Sequence, residues 1–194
     1  MNKVIAIIIM SGIQVGLAKA NPESRIWLQI TSIDAHLADS AHSHNAIDNE
    51  EVPWLTHTEQ SLLHQMRHNK ALAERLDNAQ HRRSLLQTLY YEAKRAGLDP
   101  DLVLAVIRVE SNFRKYAISK AGARGYMQVM PGWAVRVGET SSDLFNLRTN
   151  IRLGCAILRS YLDQEHGHVQ KALARYNGSV GNISYPNLIY AAWQ

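Results

Sequence analysis

Glu110 closes the apolar run from Leu102 to Val109, and the basic, polar, glycine-containing stretch after it (residues 111–131) holds no other acid. A carboxyl group at such a junction sits half in apolar surroundings and half in whatever cleft lies beyond. Desolvation disfavours its charged form and raises its pKa. An acid that stays protonated near neutral pH can give its proton to a poor leaving group, such as a glycosidic oxygen. The plainer reading is a helix-end glutamate that bends out into solvent, and Glu110 alone does not decide the matter. From Ser111 to Thr149 the further acids are Glu139 and Asp143. Ordinary glycosidases need a second carboxyl group roughly 5–9.5 Å from the first.

Other side chains invite metal or thiol chemistry and support it poorly. His36, His42 and His44 lie in a polar, irregular tract that would bind a metal only opportunistically. In HQMRH, His64 and His68 have the i, i+4 spacing of a zinc peptidase helix. Gln65 stands where the general base belongs, and an amide cannot take a proton from metal-bound water. Arg67 between the two histidines repels a cation. No metal and no cofactor is expected. Cys155 is the single cysteine and falls on the apolar face of IRLGCAILRSYL, which makes it a buried structural thiol.

The elements that must position Glu110 are helices. Leu62, Leu63, Met66, Ala73 and Leu76 mark an amphipathic helix from Glu59 to about Leu76. A second runs from about Gln80 to Ala96, with Gly97 as its stop. In DPDLVLAVIRVE, Asp99 is a natural N-cap, Pro100 suits the first helical position, and Asp101 suits the positive end of the dipole. That helix is apolar nearly all round, as one buried in a small bundle should be. Asn150 is expected to cap a helix over 151–163, another covers about 168–177, and a short last one starts at Pro186. No strand pattern and no internal repeat is evident, so the fold class is all-α: a compact helical domain.

The 194 residues, 46% of them hydrophobic, allow one such domain with an extension. Residues 1–20 carry Lys3, an apolar run from Val4 to Leu17, and the small-x-small end Ala18-Lys19-Ala20. This reads as a cleavable signal peptide, hence export to the periplasm. The run is short for a membrane span, and Ser11 and Gln14 interrupt it. Without Lys3 and Lys19, 19 basic residues face 17 acidic ones, too small an excess to argue for nucleic acid. The organisation expected is a signal peptide (1–20), an extension of irregular spacer and helix (21–80), and a catalytic domain (81–194). The spacer should be dispensable, so a chain beginning near Glu59 should fold.

ESNF at 110–113, GARGYMQVMP at 122–131, NIRLGCAILRSYL at 150–162 and ALARYNGSVG at 172–181 resemble, in order and spacing, four motifs of the lytic transglycosylases. These are peptidoglycan-cleaving enzymes with a goose-type-lysozyme-like fold. The resemblance runs from about Arg83 to Trp193. It implies that Glu110 is the single catalytic acid/base, with Ser111 as its supporting neighbour. It implies that Met127 and Gln128 line the sugar cleft, while Gly125 lets the backbone pass close to the sugar. Tyr176 and Asn177 would face Glu110 from the far side, with Tyr176 bonding or orienting it, and Asn177 offering its amide to the sugars. Met130 is assigned to core packing. Tyr126 stands where the family usually has Leu, and Trp133 where Thr is common. The implied reaction cuts the MurNAc–GlcNAc bond of glycan strands and leaves a 1,6-anhydro-MurNAc end. A hydrolytic muramidase and a non-catalytic wall-binding assembly subunit are the alternatives. The family's roles also suggest a conjugation, pilus or secretion apparatus as a partner.

Overall fold

The computed structural model describes residues 49–193. The segment expected to be a signal peptide and the histidine-rich tract through residue 48 lie outside the described residues. The chain forms α1 (Glu51–His68), α2 (Lys70–Leu76), α3 (Ala79–Arg95), α4 (Pro100–Ser111), α5 (Pro131–Arg136), a 3-10 turn (Asp143–Phe145), α6 (Leu147–Gln164), α7 (Val169–Tyr176) and α8 (Ser184–Ala192). Among the described residues β structure is confined to two isolated bridges, Ile118 with Arg124 and Arg124 with Val129. The domain is all-α.

Helix α6 is the central post. Ile151, Leu153, Cys155, Leu158 and Leu162 bury its stripe against α3 and α7. Cys155 is fully buried there, and burial pushes its thiol pKa up, so it packs as a small apolar residue. Helix α4 crosses α3 on one side and α8 on the other. The Asp99 side chain accepts from Asp101 N (2.8 Å) and Pro100 begins the helix, so α4 starts where its sequence dictates.

The N-terminal side departs from the expected layout. Helix α1 begins at Glu51 and accommodates Pro53 in its first turn, where a missing N–H costs no hydrogen bond. Asn69 then breaks the expected single helix: its extended backbone ends α1, and its side chain caps α2 by accepting from Leu72 N. Leu62, Leu72 and Leu76 join the same core as α3, α4 and α6. Trp54 donates to Asp101 at 2.9 Å and tilts on Tyr90. A chain trimmed to Glu59 would lose Trp54 and the first turns of α1, so a shortened chain expected to fold should keep α1 whole.

The asparagine expected to cap α6 does something else. Asn146 is the cap, accepting from Arg148 N and Thr149 N. Asn150, inside the first turn of α6, is fully buried and reaches sideways. Its amide donates to Arg124 O and Leu144 O, and its oxygen accepts from Met127 N, each at 2.8 Å. This one side chain clips the loop between α4 and α5 onto the bundle.

Candidate active site

The carboxyl group of Glu110 is placed by the way α4 ends. Asn112 and Phe113 both adopt left-handed backbone, with φ of 46° and 62°. Two such non-glycine residues in succession cost on the order of 1–2 kcal/mol each. Their surroundings hold them: Arg75 Nη1 donates to Asn112 O (3.1 Å), Arg114 Nε donates to Ser111 O (3.0 Å), and the Phe113 ring is buried. The chain therefore turns sharply away just past Glu110 and leaves its side chain half-buried at the helix end.

Tyr185, in the first turn of α8, donates its hydroxyl to Glu110 Oε1 at 2.6 Å. Burial raises the Glu110 pKa, and this hydrogen bond opposes the shift only in part. Among the described residues no cation pairs with Glu110. Other carboxylates are committed. Buried Glu92 pairs with Arg95 (2.7 Å) and Arg148 (3.2 Å), and Glu139 pairs with Arg152 (3.1 Å). Asp143 accepts from the Thr140 hydroxyl (2.6 Å) and backbone N–H (2.7 Å), which hold its pKa low. Among the described carboxyl groups whose pKa is shifted, Glu110 is the one raised, whereas Asp143 and Glu165 are lowered.

The bond expected from Tyr176 to Glu110 is supplied by Tyr185, which the sequence analysis did not single out. Tyr176 donates instead to Met127 O at 2.8 Å. It still lies close enough for the Glu110 charge, after burial, to raise its hydroxyl pKa. Tyr185 is thus the direct partner, and Tyr176 ties α7 to the loop beside the acid.

The loop 117–130 changes several expected roles. Gly125 has φ +74°, and a Cβ there would come within 2.4 Å of Asn150 Nδ2 and Leu144 O. The close approach that demands glycine is to Asn150 and the Leu144 carbonyl, so a sugar is not needed to explain it. Met127 and Met130 exchange places. Met127 is fully buried against Gly154, whereas Met130 is 43% exposed at the start of α5. Met130, not Met127, is available to a ligand. Gln128 is half-buried with φ 50°, and its amide nitrogen donates to Gly125 O (2.9 Å) and Ala117 O (3.3 Å). That leaves its carbonyl oxygen as the group free to turn outward. Ser111 is buried and returns its hydroxyl to Ile107 O (3.1 Å), so it supports the end of α4 and offers no surface to a sugar. Asn177, the residue capping α7, is exposed. His64 and His68 stack edge-on along exposed α1, with no third metal-ligating residue grouped with them among the described residues.

Residues 87–187, more than half of the chain, match the Transglycosylase SLT domain. The chain belongs to this family. Its SLT domain holds Glu110, the clipped loop and both tyrosines. It is 34% identical over 99 residues to the "Transglycosylase" of Enterobacteria phage PRD1, covering 51% of this chain and 36% of that protein. It is 34% identical over 107 residues to "Membrane-bound lytic murein transglycosylase C" of Edwardsiella ictaluri, covering 47% and 30%. The chain thus spans about a third of the length of these relatives. Among solved structures it is similar to lytic transglycosylase Slt of Pseudomonas aeruginosa, at 36% identity and TM-score 0.45 over 50% of this chain and 17% of that one. It is also similar to the 70 kDa soluble lytic transglycosylase of Escherichia coli, at 17% identity and TM-score 0.46 over 92% and 32%.

The geometry of the SLT domain makes Tyr185→Phe informative. Removing the hydroxyl removes a bond that favours the carboxylate, so the Glu110 pKa should rise further. With Glu110 as the general acid, the alkaline limb of the pH–rate profile should then move to higher pH. Lost orientation should lower the rate on the order of tenfold, the worth of one hydrogen bond to a charged group. A profile that does not move would mean that Tyr185 does not act through Glu110.

Proposed function

We propose that this chain is an exported peptidoglycan lytic transglycosylase with Glu110 as its one acid/base. The observation that carries the reading is the half-buried, cation-free Glu110 carboxyl group under the Tyr185 hydroxyl, inside the family segment. Glu110 gives its proton to the glycosidic oxygen between MurNAc and GlcNAc as the C1–O bond breaks. The N-acetyl group of the same muramic acid shields the cationic centre. Glu110, now a carboxylate, takes the proton of that sugar's C6 hydroxyl, whose oxygen closes on C1. Acid and base are thus restored, and no water is consumed. Intramolecular attack has a high effective molarity and needs no second carboxylate. The commitment of Glu139 to Arg152 and of Asp143 to Thr140 supports a one-carboxylate route.

Gln128, Met130 and Asn177 are the proposed sugar contacts, with Tyr176 and Gly125 holding the loop that carries Gln128. The leader-like residues 1–20 support action in the periplasm, and opening the wall for an envelope-spanning apparatus is the role proposed with it. The test is the mass of released muropeptides. The 1,6-anhydro products are lighter than hydrolytic ones by one water. Ordinary reducing ends would make the protein a muramidase and return attention to Glu139 and Asp143.

A further inference from the structure

We propose that a basic cavity after α4 seats a phospholipid headgroup phosphate and holds the protein against an anionic membrane surface. The cavity, of about 430 Å³, opens where α2 and α3 meet residues 113–118, and Arg75, His81, Arg114, Lys115 and Tyr126 are among its walls. No carboxylate lines it. Elsewhere arginines are matched to acids, as in Arg82 with Glu59, Arg152 with Glu139 and Arg159 with Asp163. Arg75, Arg114 and Lys115 form no ion pair among the described residues. Arg75 donates to Asn112 O and Arg114 to Ser111 O, so adjacent carbonyls of one turn pin both guanidinium groups. Each keeps further N–H groups for a ligand. Pinned guanidinium forks match the oxygens of a phosphate, and Lys115 adds a point charge.

His81 gives this cavity shape more than charge. Its Nε2 lies 3.0 Å from the buried Tyr126 hydroxyl, and burial and then Lys115 lower its pKa, with Asp77 opposing. Asp77, exposed at the end of α2, and Glu74, paired with Lys70, are the acids nearest Arg75 in sequence. Neither lines the cavity.

The ribbon at its mouth points to a membrane as the source of the phosphate. From Arg114 to Lys120 every second residue is exposed (Arg114, Tyr116, Ile118 and Lys120), while Phe113 and Ala117 are buried. Tyr116 and Ile118 reach 69% and 63% exposure, high for side chains of their kind. An aromatic and an aliphatic group flanked by two cations suit the headgroup layer, where rings sit at the acyl boundary and cations meet phosphates. Phe145 steadies the Tyr116 ring (centroids 5.6 Å apart), and Lys115 Nζ lies 5.2 Å from that ring, so the apolar and charged contacts fall at one place. The volume lies within the roughly 300–1,000 Å³ of small-molecule pockets, room for a glycerophosphate headgroup. This face is distinct from the acid. Glu110 bonds Tyr185 of α8, on the other side of α4 from α3, so the inference stands apart from the reaction.

The experiment is co-sedimentation with phosphatidylcholine vesicles that contain or lack phosphatidylglycerol. It uses the chain from Asn21 on, which keeps every described helix and leaves out the apolar leader-like residues. The wild type should bind the anionic vesicles at least about tenfold more tightly, and added salt should weaken that binding. Lys115→Gln should weaken it roughly fivefold, the worth of one basic residue at an anionic surface. Ile118→Ser should weaken it by a similar factor and leave the salt dependence unchanged. Lys171→Gln, on α7, should bind like the wild type. Soluble glycerol phosphate should compete with the vesicles. Equal binding to both kinds of vesicle, or an unaffected Lys115→Gln, would overturn the proposal. So would glycerol phosphate bound in solution without any vesicle binding, which would make the cavity a site for a free phosphate. Poly-glutamate bound more tightly than anionic vesicles would also overturn it and make this face a contact for an acidic protein.

Discussion

Glu110→Gln should abolish wall degradation while the protein stays folded. The amide is nearly the shape of the protonated acid and its oxygen can still accept from Tyr185, so the 2.6 Å contact survives the change. What disappears is the proton to be given and the carboxylate that later takes one back. A general acid–base group contributes on the order of 10²–10⁴-fold, and a group that serves both halves of the reaction stands at the upper end. Glu139→Gln and Asp143→Asn are the controls: each breaks a local contact, to Arg152 or Thr140, and should lose far less activity. Thermal melting carries an independent sign. The folded-state pKa of Glu110 is raised, so its protonated form contributes stability below the ordinary carboxyl pKa. That contribution is lost as pH rises through the raised value. Glu110→Gln cannot ionise and should melt no lower than the wild type on the alkaline side. If the variant keeps a tenth of wild-type activity, Glu110 is not the acid.

Much of the helical frame was legible because its signals are local. Asp99 and Pro100 start α4 and Gly97 follows α3 with positive φ, each stated by residue type alone. Glu110 stands out in the sequence as an acid ending an apolar helix, and the structure leaves it half-buried at that helix end under the Tyr185 hydroxyl. The errors have one cause: the deciding partner was distant in sequence. Asn146 and Asn150 are both plausible caps, and only the carbonyls of Arg124 and Leu144 distinguish them. Met127 and Met130 cannot be sorted without Gly154, whose missing side chain makes the room that Met127 fills. Tyr185 lies 75 residues from Glu110, and no spacing rule joins them.

Asn150→Ala should cost the most stability of any polar substitution near the site. The side chain is fully buried and its three 2.8 Å bonds satisfy Met127 N, Arg124 O and Leu144 O. Alanine leaves Met127 N and Leu144 O without that partner, while Arg124 O keeps Val129 N at 3.0 Å. An unsatisfied buried group costs ~1–3 kcal/mol, so the two sum to roughly 2–6 kcal/mol, with the lower figure holding if water enters the gap. Against a typical stability of ~5–15 kcal/mol, that is a large fraction. Asn150→Asp separates shape from donor chemistry. It keeps the acceptor for Met127 N but turns a carboxylate oxygen towards two carbonyls. Its pKa should rise, and the variant should lose stability as pH rises through that value. Activity should fall with stability, because Met127 O, the acceptor for Tyr176, and Gln128 both belong to the clipped loop. The coupling to Gly125 is the stricter check. A Cβ at Gly125 would strike Asn150 Nδ2 and Leu144 O, both at 2.4 Å, on a backbone with φ +74°. Gly125→Ala should therefore displace Asn150 and already break part of the clip. The double variant should then cost clearly less than the sum of the two single ones in chemical denaturation. Strict additivity, or an Asn150→Ala variant within ~1 kcal/mol of the wild type, would mean that the loop is held by something other than this asparagine.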